Sequence, residues 1–416
     1  MTRWLAAACL LWSGLLVASD QPSPVVAVYI KGNEVTQLHV LRRELRWREG
    51  STPTDEQLED DRQALLDLGL FRSVELTVQR TAQGKVLTYA VREKFYLLPV
   101  PRLSANADGR YSYGAQVRWS NVFGLNHSLV VYGERENTEE PGVGEETQYA
   151  ISYVAPALTG RYETLVVGMG HTTRPVLDGA GGKAYDERID TAAVTWLRQL
   201  TLGRSNQGWS VGLGPRWRRQ DTLGPSAPPE DGHAAALGTV LAYRNQRFRV
   251  YSDEGLRFNM HLDAAREGWI ADYDFVHWGA EVAWLRPFGN TPHQSLHLFA
   301  ELGGYHGGPA SIDAYSLGGG GQLRAYDRAF IEGDAYYRLA VEWLRPLHWP
   351  WLRVLVVLEN GNVFDDVRGM TLRDSYTSLG LGLRLCVPQF VNLEVEVGWA
   401  FPLGDGGEGQ VFGGRP

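Results

Sequence analysis

Val276-His277-Trp278-Gly279-Ala280-Glu281-Val282-Ala283-Trp284 alternates in polarity without a break. Val276, Trp278, Ala280, Val282 and Trp284 share one face, and His277, Gly279, Glu281 and Ala283 the other, which is the period of a β-strand. The pattern recurs. Leu352, Val354, Val356 and Leu358 alternate with Arg353, Leu355, Val357 and Glu359, and Leu393, Val395, Val397 and Trp399 with Glu394, Glu396 and Gly398. An apolar face set against a polar one is what lipid outside and a wet lumen inside select in a membrane barrel. A soluble β-sandwich also alternates, but its inner face is a dry core.

Working outward, the chain after Phe95 shows no convincing amphipathic helix. Segments of about 10 residues are separated by turns, at the spacing of a membrane barrel. Trp119, Trp196, Trp269, Trp343, Trp349 and Trp351 sit toward segment ends, as interfacial aromatic belts do. Tight connections (Thr159-Gly160-Arg161; Gly289-Asn290-Thr291) alternate with long polar ones (Asn137 to Glu146, Asp178 to Arg188, Thr222 to Gly232). About 20 residues per strand and connection predicts roughly sixteen antiparallel strands over 96–416, in a sheet that closes because lipid offers no hydrogen bonds. The even count leaves both barrel ends in the periplasm.

Composition narrows the class without deciding it. Mean hydropathy is −0.25, and no stretch beyond the start approaches the run of about 20 apolar residues that a membrane helix needs. Residues 1–19 read as a secretory signal peptide: Arg3, then an apolar stretch from Trp4 to Val17, then Val17 and Ser19 placed for cleavage before Asp20. A lipid anchor at Cys9 is the weaker alternative, because little apolar sequence precedes it. With Cys9 removed, Cys386 stands alone and forms no intramolecular disulfide. The formal net charge of −8 argues against a nucleic-acid partner.

Residues 24–94 parse as strand, helix, helix, strand, strand. Val25 to Ile30 is stopped by the turn signal Lys31-Gly32-Asn33. Leu38, Leu41 and Leu45 recur at helical spacing, and Thr54 with Gln57 forms a capping box for a second helix that ends before Gly69. Val74, Leu76 and Val78 then line one face of a strand, and Lys85 to Glu93 form the last one. Ile30-x-Gly32-Asn33, Leu68-Gly69-Leu70-Phe71 and Val74 resemble the POTRA (polypeptide-transport-associated) module, in a single copy. Gly32, Asn33, Gly69 and Phe71 carry that likeness. An exposed sheet edge on such a module offers backbone groups to an extended peptide.

Between the eleventh strand (from Ser295) and the twelfth (from Ala335) lies a long connection. It holds Leu317-Gly318-Gly319-Gly320-Gly321-Gln322-Leu323-Arg324-Ala325-Tyr326. The next strand ends Glu342-Trp343-Leu344-Arg345-Pro346-Leu347, and the one after contains Val357-Leu358-Glu359-Asn360-Gly361-Asn362-Val363-Phe364. Taken in order, these resemble the superfamily of the BamA and TamA assembly factors and the two-partner-secretion transporters. By alternation Glu342 and Glu359 both face the lumen. The resemblance implies a lumen-inserted loop of Gly319, Gly320, Leu323, Arg324, Ala325 and Tyr326, with Arg324 held by Glu342 and Glu359 and Tyr326 packed beside it. An arginine fork suits that task, since its donors match carboxylates. Ala325, Glu359 and Val357 stand where the family has glycine, aspartate and an aromatic residue. Alanine would be strained if its backbone needed φ > 0.

The last strand is short, with Phe412 followed by Gly413-Gly414, while the first carries Pro99 and Pro101, which donate no ladder bonds. The seam through Pro99, Pro101, Phe412 and Gly413 is therefore expected to be weakly bonded and to open sideways. The resemblance implies insertion or translocation of unfolded outer-membrane or secreted polypeptides, with outer-membrane lipids and accessory assembly subunits as partners and without a cofactor. The alternative is a pore-forming channel with no protein clients. Enzymatic signals are weak. Gly208-Trp209-Ser210-Val211-Gly212 matches a nucleophile pattern but lies in an alternating strand. Gly179 to Lys183 lacks the Ser or Thr of a phosphate loop, and the ten histidines have no metal-ligand spacing.

Overall fold

The computed structural model describes residues 23–105, 111–137, 145–177, 183–205, 207–224, 226–227, 232–308, 315–319, 321–404 and 406–414. The expected signal segment 1–19, positions 179–182 and Gly320 lie outside them.

The first domain is β1 (Val25–Lys31), α1 (Leu38–Glu44), α2 (Asp55–Leu66), β2 (Phe71–Thr81) and β3 (Gly84–Glu93). Its sheet runs β1-β3-β2, with β1 parallel to β3 and β2 antiparallel to it. Helix α2 starts where Thr54 Oγ1 accepts the Gln57 N–H (3.2 Å) and the Gln57 side chain accepts the Thr54 N–H (2.9 Å). Leu41, Leu58, Leu65, Phe71 and Leu87 close a dry core between the helices and the sheet. Asp61 is buried on α2 and accepts the backbone N–H groups of Arg46 and Trp47. It thereby fixes the segment after α1, and its burial raises the carboxyl pKa.

The barrel strands follow. The first eleven are β4 (Leu97–Ala105), β5 (Tyr111–Val122), β6 (His127–Asn137), β7 (Glu145–Pro156), β8 (Glu163–Leu177), β9 (Lys183–Gln199), β10 (Gly208–Leu223), β11 (Gly232–Phe248), β12 (Asp253–Ala265), β13 (Phe275–Pro287) and β14 (Ser295–Gly307). The connection after β14 carries a small hairpin, β15 (Tyr315–Leu317) and β16 (Ile331–Gly333). The wall resumes with β17 (Ala335–Pro346), β18 (Leu352–Phe364), β19 (Tyr376–Cys386), β20 (Glu394–Pro402) and β21 (Gln410–Gly414). These make one sixteen-stranded sheet in chain order, with β14 paired to β17 across the loop. The connection expected at Asp178 to Arg188 is shorter than its polarity suggests, because Lys183 to Arg188 already belong to β9. There Glu187 holds Arg174 of β8 at 2.6 Å, so the ladder continues on polar pairs. With 17 residues, β9 and β11 are longer than the 9–11 that a bilayer requires.

The outer face is apolar and exposed at Trp196, Val211, Leu213, Leu241, Leu262, Val397 and Trp399, which forms the lipid-facing belt. The inner face is charged. Among the described residues no ladder joins β21 to β4. The root of β4 is tied instead to the turn between β19 and β20, where the Phe95 N–H donates to the Gln389 carbonyl at 2.6 Å and the Phe95 and Phe390 rings meet at 5.4 Å.

The small domain is docked on the barrel's turns. The Arg204 guanidinium reaches Asp60 (2.9 Å) and Asp67 (3.4 Å) of the α2 region, and Ser205 donates to Glu44. The Phe248 N–H donates to Asp67 and its carbonyl accepts from Gln63, both at 2.9 Å. The Gln37 backbone and side chain bond the turn at Phe123 and Gly124, and Asn121 donates to Thr36. Helices α1 and α2 thus lie against the mouth of the barrel, where they help to enclose a chamber of about 1010 Å³.

Candidate functional site

The lumen beyond that chamber is filled by the long connection between β14 and β17. Gly318 (φ +128°) turns the chain inward where a side chain cannot fit: a Cβ there would lie 2.1 Å from the Asp327 carbonyl oxygen. Gly319 also has positive φ (+68°). The non-glycine residue with left-handed backbone in the motif is Leu323 (φ +50°), not Ala325. Ala325 therefore carries none of the strain expected of it. Its N–H donates to Ser378 Oγ at 3.0 Å, and its methyl group is buried.

Arg324 is 6% exposed and meets carboxylates from three strands. Nη1 donates to Glu359 of β18 at 2.8 Å, and the Arg324 backbone N–H donates to the other Glu359 oxygen at 2.9 Å. Nη2 lies 3.3 Å from Glu342 of β17 and 3.3 Å from Glu396 of β20. Two further arginines complete the network. Arg384 joins Glu342 and Glu396, each at 2.6 Å, while Arg338 joins Glu359 (2.8 Å) and Glu301 (2.6 Å) and donates to the Gly321 carbonyl (2.7 Å). His297 stands 3.6 Å from Glu342. Each buried carboxylate here is shared by at least two cations, or by a cation and a backbone N–H, which is the condition under which buried charge is tolerable. Tyr326 is buried against Phe330 (4.8 Å between ring centroids) and Tyr376 (5.5 Å), and its hydroxyl donates to the Thr377 carbonyl.

The last strand also belongs to this cluster. Phe412 points into the lumen, and the Arg324 guanidinium lies over its ring at 5.4 Å. The ring rests on a glycine shelf. A Cβ at Gly398 would come 2.4 Å from it, and one at Gly382 3.0 Å. Gln410, two residues away on the same strand face, donates its side-chain N–H groups to the carbonyls of Arg324 and Tyr326. Gly413 pairs with Val397, while Pro99 and Pro101 pair with Val117 and Ala115 of β5. In the first domain, Gly32 (φ +86°) and Gly69 (φ +72°) are turn residues, Phe71 is a core residue and Asn33 bonds the Thr36 carbonyl, so these four shape the module.

Comparison with known proteins fits this arrangement. The POTRA family model, described as a surface antigen variable number repeat, matches residues 24–94. The fold is similar to that of CdiB from Escherichia coli (12% identity, 94% of this chain and 76% of that one, TM-score 0.63). It is also similar to CdiB from Acinetobacter baumannii (13%, 94% and 73%, 0.60) and to BamA from Haemophilus ducreyi lacking POTRA domains 1–3 (18%, 94% and 83%, 0.54). The chain has the fold of the BamA–CdiB superfamily, with one POTRA domain. With its apolar outer face and charged interior, the sixteen-stranded sheet has the architecture of a membrane barrel preceded by a POTRA domain.

Within this POTRA barrel, sequence reasoning missed Glu396, Arg338, Arg384, Ser378 and Gln410. A signal for Glu396 was present, since it alternates with Val395 and Val397 on the face that carries Glu394. Nothing local marks which lumen charges meet, because that depends on how the curved wall brings β17, β18 and β20 around one point.

Proposed function

We propose that this protein inserts unfolded polypeptides into the outer membrane or passes them across it, with the POTRA domain receiving the client. The observation that carries this reading is the loop itself. It fills the lumen, its arginine is shared by three strands, and through Gln410 and Phe412 it holds the strand at the weak seam. A plug tied to a five-residue seam strand suits a client that leaves sideways, with strand pairing supplying the free energy and no cofactor required. Outer-membrane lipids then meet the client directly at the seam, and accessory assembly subunits would dock on the periplasmic face. Strand β2 is the longer edge of the POTRA sheet, and its Glu75–Thr81 stretch is the surface we assign to strand addition.

The test is depletion of the protein in its own cells, with quantitative proteomics of the outer membrane and the medium. Loss of a defined set of barrel or secreted proteins is the expected result. An unchanged protein profile with altered solute uptake would establish the channel reading instead. A disulfide engineered between β4 and β21 then examines the exit route: full activity with the seam locked would refute sideways release.

A further inference from the structure

The chamber enclosed by the POTRA helices and the barrel wall contains an unmatched set of cations. Elsewhere in the lumen arginine is paired: Arg102 with Glu134, Arg174 with Glu187, Arg216 with Asp263, Arg338 with Glu301 and Glu359, and Arg384 with Glu342 and Glu396; in the chamber itself Arg353 is paired with Glu394. Arg118, Arg244 and Arg257 line the chamber, and among the described residues none of the three has a carboxylate within 4.0 Å or a side-chain hydrogen bond. Arg244 of β11 and Arg257 of β12 are direct cross-strand partners, both exposed to the chamber. Like charges placed directly opposite repel, so this pairing works against the sheet that carries it.

The remaining charged groups of the chamber offset them only in part, Asp253 acting on Arg244 from beyond ion-pair distance. Glu394 is engaged by Arg353, Asp67 by Arg204 and Glu44 by Arg43 and Ser205. Asp253 accepts from Gln246 at 2.8 Å, and Glu281 is the acid on the neighbouring wall. Lys94, at the end of the POTRA domain, adds a fourth cation, its ammonium 4.3 Å from the centre of the Phe248 ring. Four cations therefore face two uncommitted acids in a space whose low-dielectric walls concentrate the field.

We propose that this chamber is a carboxylate-binding vestibule, and that Arg244 and Arg257 take acidic side chains or the terminal carboxylate of an extended polypeptide entering from the periplasm. Paired guanidinium forks match carboxylates in geometry as well as charge. The volume, about 1010 Å³, is at the top of the range for small-molecule pockets, enough for a short peptide segment. The assignment of a peptide source rests on the polypeptide-handling reading above.

The test uses the full-length protein purified in detergent and a fluorescent decapeptide of glutamate, glycine and serine, beside its glutamine counterpart. The acidic peptide should bind at least ten-fold more tightly than the glutamine one, and 200 mM salt should remove most of the difference. The Arg244→Gln/Arg257→Gln variant should abolish the preference, and the Arg244→Lys/Arg257→Lys variant should keep part of it. Heat-modifiable gel mobility verifies that both variants are folded barrels. Equal binding of the two peptides, or an unchanged preference in the glutamine variant, overturns the vestibule. Competition by acetate at matched carboxylate concentration overturns the peptide as occupant and leaves a small-anion site. None of these readings depends on cells, so the depletion experiment can fail while the vestibule stands, and the reverse.

Discussion

Two parts of one lumen treat arginine in opposite ways. Around the loop, Arg324, Arg338 and Arg384 are buried and distributed over Glu301, Glu342, Glu359 and Glu396. In the chamber toward the POTRA domain, Arg118, Arg244 and Arg257 have no carboxylate within 4.0 Å among the described residues, and Asp253 reaches Arg244 only at longer range. The wall of β18 passes through both zones. Its inward side chains run from Arg353 at the chamber, through Leu355 and Val357, to Glu359 at the loop. The first zone is organised to stay closed and the second to receive something, and the difference lies in whether each cation has been given its counter-charge.

The largest effect should come from removing the acid on which the closed zone turns. Glu359 is wholly buried and accepts from two guanidinium groups and a backbone N–H. Glu359→Ala leaves two cations short of a partner inside the barrel, at a cost of about 3–5 kcal/mol. Urea unfolding in detergent should show a lower midpoint, and planar-bilayer recordings a higher resting conductance. A wild-type midpoint together with wild-type conductance would mean that the loop is held by something other than this network.

A smaller loss is expected at the seam. Phe412→Ala removes the ring under Arg324 and empties the shelf made by Gly380, Gly382 and Gly398, which should cost about 3 kcal/mol, at the low end for a large aromatic residue. If the last strand and the loop are one unit, conductance should rise here too, although the residue is far from the loop in sequence. Hydrogen exchange at β20 and β21 would show whether the strand loosens; exchange that stays at wild-type levels would separate strand from plug.

These residues also mark how far the sequence could be read. The strand count was legible from chain length at about 20 residues per strand and connection, the strand character from an apolar–polar period of two in segments such as Val276–Trp284, and the loop's position from one interval too long for a turn. Pairing was not legible to the same degree. Glu342 and Glu359 could be placed on the lumen face by alternation, but Glu396 lies two strands beyond β18, and only the curvature of the wall across β19 brings it to Arg324. Phe412 read as a terminal aromatic at a seam, whereas the glycines that turn it inward belong to β19 and β20. The docking of POTRA helices on Arg204 and Phe248 left no trace, since those turns have no periodicity to break.

The docking contact is the next test in size. Arg204 is mostly buried and reaches two aspartates, one of them half-exposed, so Arg204→Ala should weaken the docked state by about 1–2 kcal/mol. Limited proteolysis in the segment joining the POTRA domain to β4 should quicken several-fold, with no change in barrel mobility on a gel. Unchanged proteolysis would show that the turns at Phe123 and Phe248 hold the domain without Arg204.

The smallest effect has the opposite sign, which makes it the sharpest probe of the contrast between the zones. Were Arg244 and Arg257 part of the scaffold, replacing them would destabilise the barrel as loss of Glu359 does. As a like-charged cross-strand pair with no acid to join, they should instead burden it. Arg244→Gln/Arg257→Gln keeps polar, lumen-compatible side chains and removes the repulsion, so it should raise stability by roughly 0.2–1 kcal/mol, read as a small upward shift of the urea midpoint at low salt. Because the gain is electrostatic, it should shrink as salt is added, with chamber charges screened beyond about 10 Å at 0.1 M. A variant less stable than wild type at every ionic strength would place these arginines among the structural pairs, and the chamber would then be a second closed zone and not a receiving one.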